Sequence, residues 1–312
     1  MKKVLFPAFL AFSFFSLSAQ AFYATTDSAY MRLVEKAYDE LRSGACAPCL
    51  VDYEAAFAIS QRSILSRLRA ASCAFACKQD DKWKFHLDFA LEKDWISVEN
   101  ILQDKRNQYP ELTRYRDSAF YDYALQRIAD AKKQSGYDEA LAAELEIILR
   151  DDQALRQGLN DPVSEAERMA TWRRIEELDS INLVKVEDIF ARHGYPGKSK
   201  VGKQLSSAAF LVIQHADLAH QEKHFPLLEQ AANAGELDKS SLALLIDRIR
   251  MRKGEKQLYG SQVTDPDGDG KWDFHPIEDE ANVDKRRAEM GLGPLAEYAR
   301  HFGIEYKPVK QD

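Results

Sequence analysis

From Ser28 onward, apolar residues return every three or four positions. Met31, Leu33, Val34, Ala37, Tyr38 and Leu41 fall on one side of a helix with a single buried stripe, and Gly44 ends it. The same rhythm runs through Ile64, Leu65, Leu68 and Ala71 to Cys77, and again through Trp83, Leu87, Ala90 and Leu91. Only 14 Gly and 10 Pro interrupt 312 residues, which leaves room for long helices. The pattern predicts a mainly α chain of helical hairpins. It changes once, where QLYGSQV and KWDFHPI flank the acidic string DPDGDG; that stretch reads as one small β-hairpin.

Hydrophobic residues make up 45% of the chain and charged residues 30%, too apolar for disorder and too polar for a multi-span membrane protein. The formal charge is −7, which argues against a nucleic-acid or anionic-lipid surface as the main partner. Lys2 and Lys3 precede an apolar run from Val4 to Ser18, and Ala19, Gln20 and Ala21 supply a small-x-small site. The pattern is that of a secretory leader over residues 1–21. Its run of 15 residues falls short of the roughly 20 a spanning helix needs. No Cys sits at the cleavage point, so the expectation is a periplasmic or secreted bacterial protein without a lipid or transmembrane anchor.

All four cysteines lie in the front half: Cys46 and Cys49 in the string ACAPC, read as a turn, and Cys73 and Cys77 on one helical face. An oxidising compartment and an even count favour disulfides. Four thiolates could also hold zinc, and the CAPC string is a weak redox motif lacking the strand a thioredoxin-like fold places before it. The unit ending in ACKQDDKWKFHLDFALEKD, with Ala74, Ala76 and Ala90 at close-packing positions, loosely resembles a tetratricopeptide repeat. That resemblance implies that the turn after the first helix lies beside the end of the third, so that two cross-bridges join Cys46/Cys49 to Cys73/Cys77. Tyr115, Phe120, Tyr121, Tyr123 and Ile128 are expected as core, and Gly136 marks a boundary between a helical-hairpin domain at 22–136 and a second domain at 137–306, with 307–312 as a tail.

In the second domain the strings DDQALR, GYPG, QHAD with Gln221 four residues on, LLIDR, KQLYGSQ, PIED and RRAEMGLGPLAEY occur in order. Together they resemble the bacterial domain-of-unknown-function family 6624, over Glu144 to about Phe302. Tyr195 stands where the family more often has Trp, and Ser261 where it usually has Thr. The resemblance implies no activity, because no catalytic or ligand residues come with it.

The polar residues inside apolar helical strings are the site candidates. Gln214, His215 and Asp217 lie in QHAD; His215 and Asp217 are about 200° apart on a helix, so they pair only if the helix ends between them. Asp217, His220 and His224 share a face at metal-clip spacing, but a solvated helix face is the plainer reading. Asp247 and Arg248 lie in LALLIDR, and Arg286 and Arg287 open a later helix. Such arginines fork onto a ligand's carboxylate or phosphate, or onto internal carboxylates such as Asp152 and Asp247. Gln221, Gln257, Tyr259 and Gln262 complete the expected ligand-binding set. Asp265, Asp267, Asp269 and Asp273 match positions 1, 3, 5 and 9 of a calcium loop, but Pro276 stands where a bidentate Glu belongs, so any calcium would bind weakly. No other cofactor is expected. No GxSxG, HExxH or Walker loop appears. The leading expectation is a small-molecule or peptide-like ligand bound in a polar pocket of the second domain. A hydrolase using His215 as general base, with an Arg steadying the developing anion and Asp247 as a further catalytic candidate, is the first alternative; a structural or inhibitory partner of another exported protein is the second.

Overall fold

Asp27 starts the first helix by accepting the backbone N–H groups of Ala29 (2.8 Å) and Tyr30 (3.0 Å), which have no partner inside a helix. A computed structural model describes residues 27–158, 164–265 and 270–307. The expected leader, Asp267, Asp269 and the tail beyond Lys307 lie outside the described residues. The described chain is mainly α-helical and divides into two compact units, residues 27–136 and 137–307.

In the N-terminal unit, α1 (Ser28–Ser43) packs on α2 (Cys46–Ile59), and α3 (Ile64–Ala76) on α4 (Asp80–Gln103). A short α5 (Pro110–Thr113) and α6 (Ala119–Ser135) close it. The stripe of α1 is buried as its spacing requires: Tyr30, Val34, Ala37 and Leu41. The string ACAPC forms the first turn of α2 instead of a free turn, because Pro48 sits where a helix needs no N–H donor. Disulfides join Cys46 to Cys77 and Cys49 to Cys73, with Cα separations of 5.6 and 6.1 Å. As one residue number rises the other falls, so α2 and α3 run antiparallel.

On α3, the Arg67 guanidinium lies over the rings of Phe57 (3.8 Å) and Phe89 (4.0 Å) and meets His86 Nδ1 at 3.0 Å. A guanidinium only donates, so Nδ1 must accept and the imidazole is neutral with its proton on Nε2. Burial, then the charge of Arg67, pushes His86 down to about 4, against an opposing pull from Glu54. The unfolded chain takes up this proton near pH 6.5 and the folded chain only near 4, so the fold should lose stability as pH falls through that window. Urea unfolding of His86→Gln, which keeps an acceptor and does not titrate, should show a shallower loss between pH 7 and 4.5. Equal slopes for the two proteins would remove His86 from the account.

In the C-terminal unit, α7 (Glu139–Ala154) is followed by a 3-10 turn (Arg156–Gly158) and the long α8 (Glu165–His193), opened by a capping box of Ser164 and Glu167. The ion pairs Glu144–Arg192 (2.8 Å), Asp151–Lys185 (3.9 Å) and Asp179–Arg156 (2.6 Å) set the two helices antiparallel. Next come α9 (Lys198–His215), α10 (Leu218–Asn233) and α11 (Lys239–Arg252). The core gathers Leu145, Ile148, Val186, Ile189, Phe210, Ile213, Leu228 and Leu245. Asp217 caps the start of α10, which carries Pro226 in its interior.

The hairpin is shorter than its alternation implies: β1 (Val263–Thr264) pairs antiparallel with β2 (Asp273–Phe274), two residues each. Residues 257–262 form no strand. Two helices, α12 (Val283–Glu289) and α13 (Leu295–Arg300), finish the unit over a small core of Ile277, Val283 and Leu295. Gly260, at φ 65°, lies so close to Leu295 that a Cβ would meet its side chain at 2.8 Å. Among the described residues no helix is long and apolar enough to cross a membrane.

Candidate functional site around His215

α9 ends at His215 and Ala216 is its extended cap, so His215 and Asp217 are free of the helical angle that separates them. They still do not meet. Asp217 turns to α10, accepting the His220 backbone N–H (2.9 Å) and bonding its ring (2.7 Å). His215 Nδ1 instead lies 2.9 Å from Oδ1 of Asp152, a residue 63 positions earlier whose side chain is 1% exposed. The His215 side chain keeps 9% of its surface. Burial works to raise the Asp152 pKa, but hydrogen bonding and charge from His215, with Arg156, outweigh it and hold the group below its ordinary value. Asp152 therefore stays a carboxylate.

Arg156 joins this pair to α8. One nitrogen donates to the Asp152 carbonyl (2.6 Å) and carboxylate (3.2 Å), and the other forks onto both oxygens of Asp179 at 2.7 and 2.6 Å. Asp152, Asp179 and His215 bring ligand-type atoms within 4.8 Å of one another, spacing that suits a metal ion. Arg156 already supplies positive charge to both carboxylates, so an ion-pair chain accounts for the grouping.

Across α9, Arg248 and Arg252 hold the carbonyls on either side of His215. Arg248 Nη1 donates to Gln214 O (3.1 Å) and Arg252 Nη1 to Ala216 O. Gln221 also donates to Gln214 O, at 2.9 Å. These donors satisfy carbonyls that a helix end leaves without partners, where cations also favour the dipole. Arg248 continues through Nε to Gln262 Oε1 (3.1 Å).

Asp247, a catalytic candidate in sequence, is 0% exposed and serves as an anchor. Its carboxylate accepts the N–H groups of Leu258 (2.7 Å), Tyr259 (3.1 Å) and Ser261 (2.9 Å). Burial raises its pKa while those backbone donors oppose the rise. Gln257 braces the same segment, donating to Gln262 O (3.0 Å) and His275 O (2.7 Å) and accepting from Gln262 N (2.8 Å). Arg286 donates to Leu258 O (2.8 Å), and Arg287 to Tyr259 O (2.6 Å) and Gly293 O (2.7 Å). Tyr259 is thus gripped by its backbone. Apart from Asp217, the expected ligand set forms one connected network, but Gln257, Arg286 and Arg287 spend their side chains holding the 257–262 segment.

Asp265 accepts the Gly270 N–H (3.0 Å) and Asp273 its neighbour Phe274 N–H (2.8 Å), bonds of a turn. Sequence reasoning left Asp152 and Arg156 out of the site, and Asp179 entirely unnoticed. A signal was present: Asp152 continues the α7 stripe Leu141, Leu145, Ile148, and a carboxylate at a core position needs a partner.

A buried carboxylate orienting a histidine, tied by arginine to a neighbouring helix, defines an α-helical domain with a built polar centre. Residues 139–308, more than half the chain, match the family described as "Family of unknown function (DUF6624)", and the chain belongs to it. No curated protein and no solved structure matches.

Proposed function

We propose that this is an exported protein whose C-terminal unit binds a small-molecule or peptide-like ligand at His215. The observation that carries the reading is the Asp152–His215 pair: a nearly inaccessible carboxylate fixes the ring of a histidine that still reaches the surface. Burying Asp152 and Arg156 is expensive, and well-packed apolar side chains would hold these helices at no greater cost. Perturbed, paired groups of this kind gather at functional sites. Two disulfides agree with an oxidising compartment, and the leader pattern with export. The N-terminal hairpins then offer a surface to another exported protein.

Thermal-shift screening against metabolites and peptidoglycan fragments tests the reading. A ligand should emerge whose binding is lost in His215→Ala and weakened in Asp152→Asn, with the helical circular dichroism of His215→Ala unchanged. If His215→Ala unfolds the protein and no ligand is found, the histidine is a packing residue and the reading fails.

The same pair favours a second reading, hydrolysis with His215 as general base, since a carboxylate on Nδ1 fixes the tautomer that leaves Nε2 to take a proton. Turnover by the purified protein that disappears in His215→Ala separates catalysis from binding alone.

A further inference from the structure

The segment that carries His215 also carries two buried amide oxygens without a partner, on Gln214 and Gln221. Among the described residues of the C-terminal unit, the buried side-chain atoms without a hydrogen-bond partner are Oδ1 and Nδ2 of Asn182, Oε1 of Gln214, Oε1 of Gln221 and the Tyr306 hydroxyl. Gln214 precedes His215 in the chain, and Gln221 donates to Gln214 O. Asn182 lies on α8 between Asp179 and Lys185, which pair with Arg156 and Asp151. Such groups are costly to leave unmet, and native folds keep them few.

On the α11 side of His215 two arginines approach. Arg248 and Arg252, one turn apart on α11, flank His215 through the Gln214 and Ala216 carbonyls. Capping α9 explains one donor of each. Arg252 is half-buried; that single hydrogen bond is its only one, and it forms no ion pair among the described residues. Asp217 acts on it through space while engaged with His220. A guanidinium carries five donors, so most of those on Arg252 stay uncommitted. Burial first, then Arg252 and Arg156, pushes Arg248 down to about 10, a mutual repulsion that a bound anion would relieve.

We infer that the ligand is of amino-acid type, its carboxylate forked by Arg252 and its N–H groups donating to the amide oxygens of Gln214 and Gln221. The assignment rests on the ligand-binding reading above. A bare oxyanion satisfies the arginine and leaves the amides unmet; an uncharged ligand does the reverse.

Calorimetric titration of the whole protein with alanyl-alanine, acetate and inorganic phosphate tests it. The dipeptide should bind about tenfold or more tighter than either anion, and Arg252→Gln should weaken it by about tenfold. Arg252→Lys, which keeps the charge and loses the fork, should fall between and carries the test if Arg252→Gln fails to fold. Dipeptide binding no tighter than acetate or phosphate, indifferent to both variants, or absent at about 10 mM overturns the inference. A neutral ligand from the screen that needs His215 and ignores Arg252 also overturns it and leaves the ligand-binding reading standing; a screen without any His215-dependent ligand removes that reading itself.

Discussion

Replacing all four cysteines with alanine should destabilise the N-terminal unit by about 3 to 4 kcal/mol, while replacing either pair alone should cost much less. The two bridges are nested: Cys49–Cys73 closes 24 residues inside the 31 closed by Cys46–Cys77. With the outer bond in place, the inner cysteines are already tethered through a short path, so the second closure removes little further entropy from the unfolded chain. Either bond alone therefore supplies most of the restraint. Denaturant unfolding of the two double variants and the quadruple variant measures this, and an additive outcome would sink the nested account. Tryptic cleavage at Arg62, Arg67 or Arg69 separates the two halves of the staple, so non-reduced digests should carry Cys46 and Cys49 in one peptide linked to Cys73 and Cys77 in another. A bond between Cys46 and Cys49 would contradict the pairing.

The second large effect is expected at Asp247. Its carboxylate takes three backbone N–H groups from the 257–262 segment with no exposure to water, so Asp247→Ala leaves buried donors without partners. At about 1 to 3 kcal/mol for each unmet group, partly offset by removing a buried charge, the loss should reach about 3 to 5 kcal/mol. Asp247→Asn should fall between wild type and alanine, because its amide NH2 must face either the Leu258 or the Ser261 N–H, donor against donor. Hydrogen exchange should show amides 258–261 losing protection before the helices do. If those amides stay protected in Asp247→Ala, the carboxylate is not the anchor.

The first helix was legible because it buries one stripe. The Tyr30, Val34, Ala37, Leu41 spacing is local, and local spacing is what sequence periodicity reports. The family strings likewise marked the right stretch of chain. The pairing inside the site was harder, since Asp152 meets His215 across 63 residues and nothing local says which histidine a core carboxylate will find. The 257–262 segment misled for a related reason: its alternation has the period of a strand, but Asp247 captures the N–H groups a ladder would need. Tertiary hydrogen bonding overrode local preference there. Residues such as Asp152 and Asn182, polar members of otherwise apolar stripes, are where a sequence reading should look for long-range partners.

Asp247, Arg248 and Arg252 share α11, and through them that one helix positions both the 257–262 segment and the backbone on either side of His215. Rotation about its axis is thus a common coordinate for both. A single inserted residue upstream of Asp247 would turn everything after it by about 100° and carry all three side chains off their targets together. The centre behaves as a keyed shaft: it is engaged in one angular setting of α11 and disengaged in every other.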